Sequence, residues 1–220
     1  MERIQAQTTD TPRLAFESLA WVAFAKRPLT VPELREALAV KPHTMKLDTS
    51  KCSHIDLVIE ACAGLLTVDT MDDTVRLTHQ TAQEYLQRTQ ERWFPLTNIA
   101  ANEGISEPNS LIVERCLTYL SYELLVHSQR RRKLGIPSHL SRYAATNWRY
   151  HVSSQASNSH SILGFLRRTP QMQASASFNK WRDYGYPGKA ESKLSESHLT
   201  AHFGLVAVTT ELPKAQDRAD

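Results

Sequence analysis

The chain is short of glycine and cysteine and has no long apolar run, and each shortage removes a class of function. Seven glycines occur in 220 residues, and none stands in the G-x-x-x-x-G-K-[ST] arrangement whose backbone cradles phosphates. ATP hydrolysis by this chain is therefore excluded. The G-x-S-x-G elbow and the H-E-x-x-H zinc motif are missing too, and no carboxylate pair has a convincing spacing, so the chain reads as non-enzymatic. Three cysteines, Cys52, Cys62 and Cys116, form an odd set without C-x-x-C spacing, which argues against both a disulfide framework and a zinc site. They are expected to be reduced and mostly buried. A membrane span would need about 18 consecutive apolar residues, and none exist. The first ten residues are polar, which argues against a signal peptide, and a cytoplasmic address is the expectation.

What is present is enough apolar material, 41% of 220 residues, to fill one large domain or two small ones. The net charge of +3 is spread over interspersed acidic and basic residues, apart from the run Arg130, Arg131, Arg132 and Lys133. Without interleaved aromatics that run reads as a solvated loop rather than as a nucleic-acid contact.

Hydrophobic spacing predicts a succession of helices. Over residues 14–25, Leu14, Phe16, Leu19, Trp21, Val22 and Phe24 leave few polar positions, as in a helix buried nearly all round. Thr30, Val31, Pro32 and Glu33 form a capping box with proline in the first turn, and Val31, Leu34 and Leu38 continue at helical spacing. Ile55, Val58, Ile59 and Cys62 share one face of a third helix, with Gly64 as its stop. Two β-prone runs, residues 65–68 and 74–77, then flank the acidic turn 69–73 as a hairpin. Three helices followed by a hairpin is the order of a winged-helix domain, here spanning residues 12–90 after a disordered N-terminus at 1–11. A second capping box, Thr81 to Glu84, is expected to open the next helix, with Glu84 as its cap.

Proline, asparagine and glycine make residues 93–109 a loop, after which Ile112, Cys116, Leu117, Leu120 and Leu124 return to helical spacing. Leu140, Tyr143, Ala144, Asn147, Trp148 and His151 form one stripe of a further helix. A short helix at 162–166 follows a Ser/Asn-rich connector, residues 153–159. Residues 91–168 are thus expected to be a helical linker domain. Residues 169–220 read as an irregular tail.

Three stretches resemble one family, the fungal-type NACHT proteins with C-terminal ankyrin repeats, NLR-like members of the STAND class of signalling NTPases. Residues 25–34 with Leu38, Ala39 and Val40 resemble the start of the winged helix that follows the NACHT core. Val75-Arg76-Leu77-Thr78-His79-Gln80-Thr81-Ala82-Gln83-Glu84-Tyr85-Leu86 resembles the wing-to-helix signature, followed by Trp93-Phe94-Pro95. Tyr143, Ala144, Ala145, Asn147, Trp148 and His151 resemble the last helix before the repeats. Residues 198–205 are similar to the start of an ankyrin repeat, giving a degenerate repeat at 195–212. Thr200 departs from the pattern, and Pro213 interrupts the second helix. A single repeat cannot bury its own faces.

The resemblance implies a mainly α chain that lacks the NACHT core and acts as a regulatory interaction module, with a NACHT domain and ankyrin repeats as partners in cis or in trans. It leaves open a fragment of such a protein. It also implies that His79 contacts the β-phosphate of ADP held by the NACHT core, so that ADP or ATP is a ligand only of the joined protein and the chain itself carries no cofactor. The position suits that role: a helix N-terminus favours an anion and disfavours a charged histidine. A capping or packing histidine is the alternative. Trp21, Trp93, Trp148 and Tyr143 sit at core spacing. His54 and His151 lack partners at metal spacing. The second functional class is a DNA-binding winged helix, in which the third helix would offer Arg, Lys, Asn or Gln to the major groove. Here that helix offers Asp56 and Glu60 instead, so nucleic acid is not an expected partner.

Overall fold

The computed structural model describes residues 1–7, 11–42, 44–94, 105–122, 139–152 and 158–167. The basic run 130–133, most of the connector at 153–159 and the whole tail with its ankyrin-like stretch lie outside the described residues. Two compact units are present, one built from 1–40 and 47–112, the other from 41–46 and 113 onward. The first unit therefore extends past the expected boundary at residue 90.

In the first unit, helix α1 (Glu2–Gln5) precedes α2 (Thr11–Phe24), strand β1 (Leu29–Thr30) and α3 (Val31–Ala39). After a 3-10 turn at Thr49–Lys51 come α4 (Ile55–Ala61), β2 (Leu66–Asp69), β3 (Thr74–Leu77), α5 (Gln80–Arg88) and α6 (Gln90–Trp93). The N-terminus departs from the expected disorder, because Ile4 is buried and Gln7 donates its side-chain amide to the Ala61 carbonyl at 3.2 Å.

Helix α2 is the centre of this unit. Ala15, Phe16, Leu19, Ala20, Trp21 and Ala23 are all buried, and α1, α3, α4, α5 and β3 pack around them. The Phe16 ring stacks on Trp93 at 6.1 Å, and the Trp93 indole N–H donates to the Leu86 carbonyl at 2.9 Å. The expected capping box is formed: the Thr30 hydroxyl accepts from the Glu33 amide, and the Glu33 carboxylate accepts from the Thr30 amide at 3.0 Å. Arg27 adds a fork onto the same carboxylate, at 2.8 and 2.6 Å.

The hairpin pairs Leu66 with Leu77 and Val68 with Val75, antiparallel. A third strand, not foreseen, joins it: Leu29 pairs with Val75 and Thr30 with Thr74, giving the order β1-β3-β2. Two residues are too few to leave a period-2 pattern in sequence. A helix, a short strand, two further helices and a hairpin closing on that strand make this unit a winged helix, small sheet included.

In the second unit, most of helix α7 (Pro108–Leu120) is followed by α8 (Leu140–Asn147), a 3-10 turn at Trp148–His151 and α9 (Ser159–Leu166). Leu140, Tyr143, Ala144, Trp148 and His151 are buried as their stripe implies, although the last turn tightens to 3-10 geometry. The Tyr143 hydroxyl and His151 Nε2 lie 2.9 Å apart, and the Trp148 ring meets Phe165 edge-on at 6.1 Å. Asn158 donates to the Glu114 carboxylate at 2.7 Å.

Candidate regulatory site at the wing-to-helix junction

β3 leaves the sheet at Thr78, whose amide and hydroxyl both donate to the Leu65 carbonyl, at 3.0 and 3.4 Å. This staple fixes where the chain turns. His79 follows with extended backbone, φ −140° and ψ 140°, and occupies the N-cap position of α5. Its carbonyl accepts from the Ala82 amide at 3.0 Å, a 3-10-type bond at the opening of the helix. Its imidazole makes no capping bond and is exposed. No side chain caps the N-terminus of α5, where the positive end of the helix dipole lies beside the exposed His79.

The helix begins one residue before the expected capping box. Thr81 therefore lies inside the first turn rather than at the cap, and Glu84 caps nothing; it faces Gln80 one turn away, at 3.4 Å. The extended geometry at His79, set by the strand before it, decides the start.

What orients the junction is on the opposite face of α5. The side-chain amides of Gln83 and Gln87 both donate to the Ala23 carbonyl, at 3.2 and 2.6 Å. This carbonyl belongs to the last turn of α2, where no intrahelical donor is available. With Leu86 buried between them in sequence, the pair locks α5 onto α2 and leaves His79 on the exposed side. Sequence reasoning passed over these glutamines; their i, i+4 spacing on an otherwise polar helix was the available signal.

Trp21, Trp93, Trp148 and Tyr143 are all buried core. His54 pairs with Asp56 at 3.0 Å on the surface, and His151 is held by Tyr143. Among the described residues, no three His, Cys, Asp or Glu side chains converge, and no helix is long and apolar enough to cross a membrane. Burial pushes the Cys62 thiol up to about 12 and raises that of Cys116 as well. Cys52 is only half-buried, and partial burial and then the nearby Glu36 raise its pKa.

Comparison with known proteins agrees with the topology. Residues 1–93 match a family described as GPI inositol-deacylase, winged helix domain. A protein of Monascus ruber, azaphilone pigments biosynthesis cluster protein L, is 27% identical over 183 residues, which is 76% of this chain. The alignment spans 37% of that relative's length. No solved structure matches. The N-terminal unit of this chain is accordingly a winged-helix domain, similar to the one described for GPI inositol-deacylase.

Proposed function

We propose that the chain is a non-catalytic, cytoplasmic regulatory module that couples the nucleotide state of a NACHT core to ankyrin repeats in an NLR-like signalling protein. It would act within a longer polypeptide or in trans. The observation that carries this reading is His79: exposed, without a capping bond, and set at the open N-terminus of a helix clamped from behind. A side chain placed in this way serves a neighbour better than its own domain. The likeness of residues 75–86 to the NACHT-associated signature points the same way, and a relative much longer than the matched stretch is what a module among other domains would have.

In the joined protein the imidazole would donate one hydrogen bond to the ADP β-phosphate and hold the inactive state. A bond to a charged group contributes about 1.5–3 kcal/mol, roughly ten- to a hundred-fold in affinity. With the chain fused behind a NACHT core, His79→Ala should weaken ADP binding by that factor and populate the active, oligomeric form, since a contact made in one state alone biases the equilibrium. Unchanged ADP affinity in the fusion would overturn the assignment. The DNA-binding alternative gains nothing from α4, where Asp56 and Glu60 are exposed and would oppose phosphates. Duplex binding should be weak and lost between about 50 and 200 mM salt, and sequence-specific binding that survives this step would reverse the ranking.

A further inference from the structure

Residues 52–77, which carry α4 and the wing, contain five carboxylates, Asp56, Glu60, Asp69, Asp72 and Asp73, against one arginine, Arg76, and no lysine. In a winged helix that grips nucleic acid, the third helix carries cationic and amide side chains. Here the polarity is reversed, and the reversal comes with exposed apolar side chains. Leu57, between Asp56 and Glu60 on α4, is 56% exposed, and Met71 at the tip of the wing is 93% exposed.

The wing tip is held in place by its own side chains. The Asp72 carboxylate accepts from the Thr74 amide at 3.2 Å, from the Thr74 hydroxyl at 2.5 Å and from Arg76 at 2.6 Å. Asp69 accepts from the Met71 amide at 3.0 Å and lies 3.4 Å from Arg76. The turn that displays Met71 is thus ordered by its own carboxylates, and Asp73 takes a positive φ of 54° to complete it. Arg76 compensates the inner pair of wing acids. Asp73 and Glu60 are exposed, and Asp56 has the exposed His54 beside it.

Exposed aliphatic side chains with carboxylates close by in the chain cover poorly with phosphate and well with a segment that brings both positive charge and an apolar group. We propose that the outer face of α4 and the wing that follows it are a docking surface for a cationic polypeptide segment with an aliphatic anchor, carried by a partner protein. Charge complementarity sets approach and orientation, and Leu57 and Met71 supply the desolvated contacts. This proposal is independent of the nucleotide role of His79, which lies outside the acidic stretch.

The probe is a synthetic twelve-residue peptide repeating Leu-Lys-Lys-Leu, titrated into the full chain by fluorescence anisotropy. Asp56→Asn combined with Glu60→Gln should weaken binding about tenfold, and Leu57→Ser, which leaves the charge alone, by a similar factor. Neutralising the exposed Glu2 and Glu91, which lie outside the stretch, should leave affinity within about twofold. Circular dichroism checks that each variant keeps the parent helix content, and Met71→Ser provides a second apolar variant, on the wing instead of the helix, should Leu57→Ser unfold. The proposal fails if a matching Leu-Glu-Glu-Leu peptide binds as well. It also fails if the Glu2 and Glu91 changes cost as much as the α4 changes, or if Leu57→Ser and Met71→Ser are both neutral. Duplex DNA binding more tightly than the basic peptide would replace it with a nucleic-acid surface.

Discussion

His79, the proposed nucleotide contact, has little to contribute to the domain that carries it. It is exposed and makes no capping bond, so His79→Ala in this chain alone should shift unfolding free energy by no more than about 0.5 kcal/mol, the range usual for surface sites. Urea unfolding checks this, and a loss of 2 kcal/mol or so would make His79 a structural residue. Ala63 is the converse case. It holds a φ of 52° just past the end of α4, followed by Gly64 at 84°. A left-handed alanine costs about 1–2 kcal/mol that glycine does not, offset in part by glycine's greater freedom in the unfolded chain. Ala63→Gly should therefore stabilise the chain by about 0.5–1 kcal/mol in the same measurement. The thiols separate by burial: at pH 8 iodoacetamide should modify Cys52 slowly, and Cys62 and Cys116 only after denaturation. Peptide mapping by mass spectrometry reads the order.

Among the elements, α5 shows what fixes the candidate site. Gln83 and Gln87 share one acceptor, the Ala23 carbonyl, which has two lone pairs to offer. Replacing either by alanine should cost about 0.5–1.5 kcal/mol, and replacing both should cost more than the sum, because only then is the carbonyl left without a side-chain donor. The start of α3 responds to pH. Burial by itself would raise the Glu33 carboxyl, but the Arg27 guanidinium and the Thr30 amide outweigh it and hold the pKa below its ordinary value. A carboxyl depressed in the folded state contributes stability that is whole above its unfolded value, about 4.3, and is lost as pH falls through the folded one. Glu33→Gln should accordingly flatten the stability profile below about pH 5 relative to the parent chain. The elements that sequence made legible are those with local causes: the capping box at Thr30, the periodic faces of α2 and α4, the acidic turn between β2 and β3. β1 was not legible because its two residues form a strand only by pairing with β3, some 45 positions away. The start of α5 was misplaced for a related reason, since the strand geometry carried into His79 overrode the capping signal at Thr81. The position of the candidate site was readable from the motif. Its exposure, and the glutamine clamp behind it, needed the packing of α5 on α2.

For the molecule as a whole, the decisive question is whether it recognises nucleotide by itself. Magnitudes decide against it. The described residues at the junction offer one imidazole and the first amides of α5, and the sequence holds no phosphate loop with its lysine. Two or three hydrogen bonds to a charged phosphate, at about 1.5–3 kcal/mol each, contribute roughly 3–9 kcal/mol. Association opposes this with some 4–15 kcal/mol of lost translational and rotational freedom. Micromolar binding requires about −8 kcal/mol net, which these contacts cannot leave. Titration calorimetry of the full chain with ADP, ATP or GTP should therefore show no saturable heat below about 1 mM ligand, with or without magnesium, and no phosphate release. On the proposed function the same junction would become effective once a neighbouring core binds the nucleotide first, because the cost of association would then already be met and one added bond would act at full strength. Micromolar binding by this chain alone, abolished by His79→Ala, would mean that it carries a nucleotide site of its own, and that its role does not depend on a separate core.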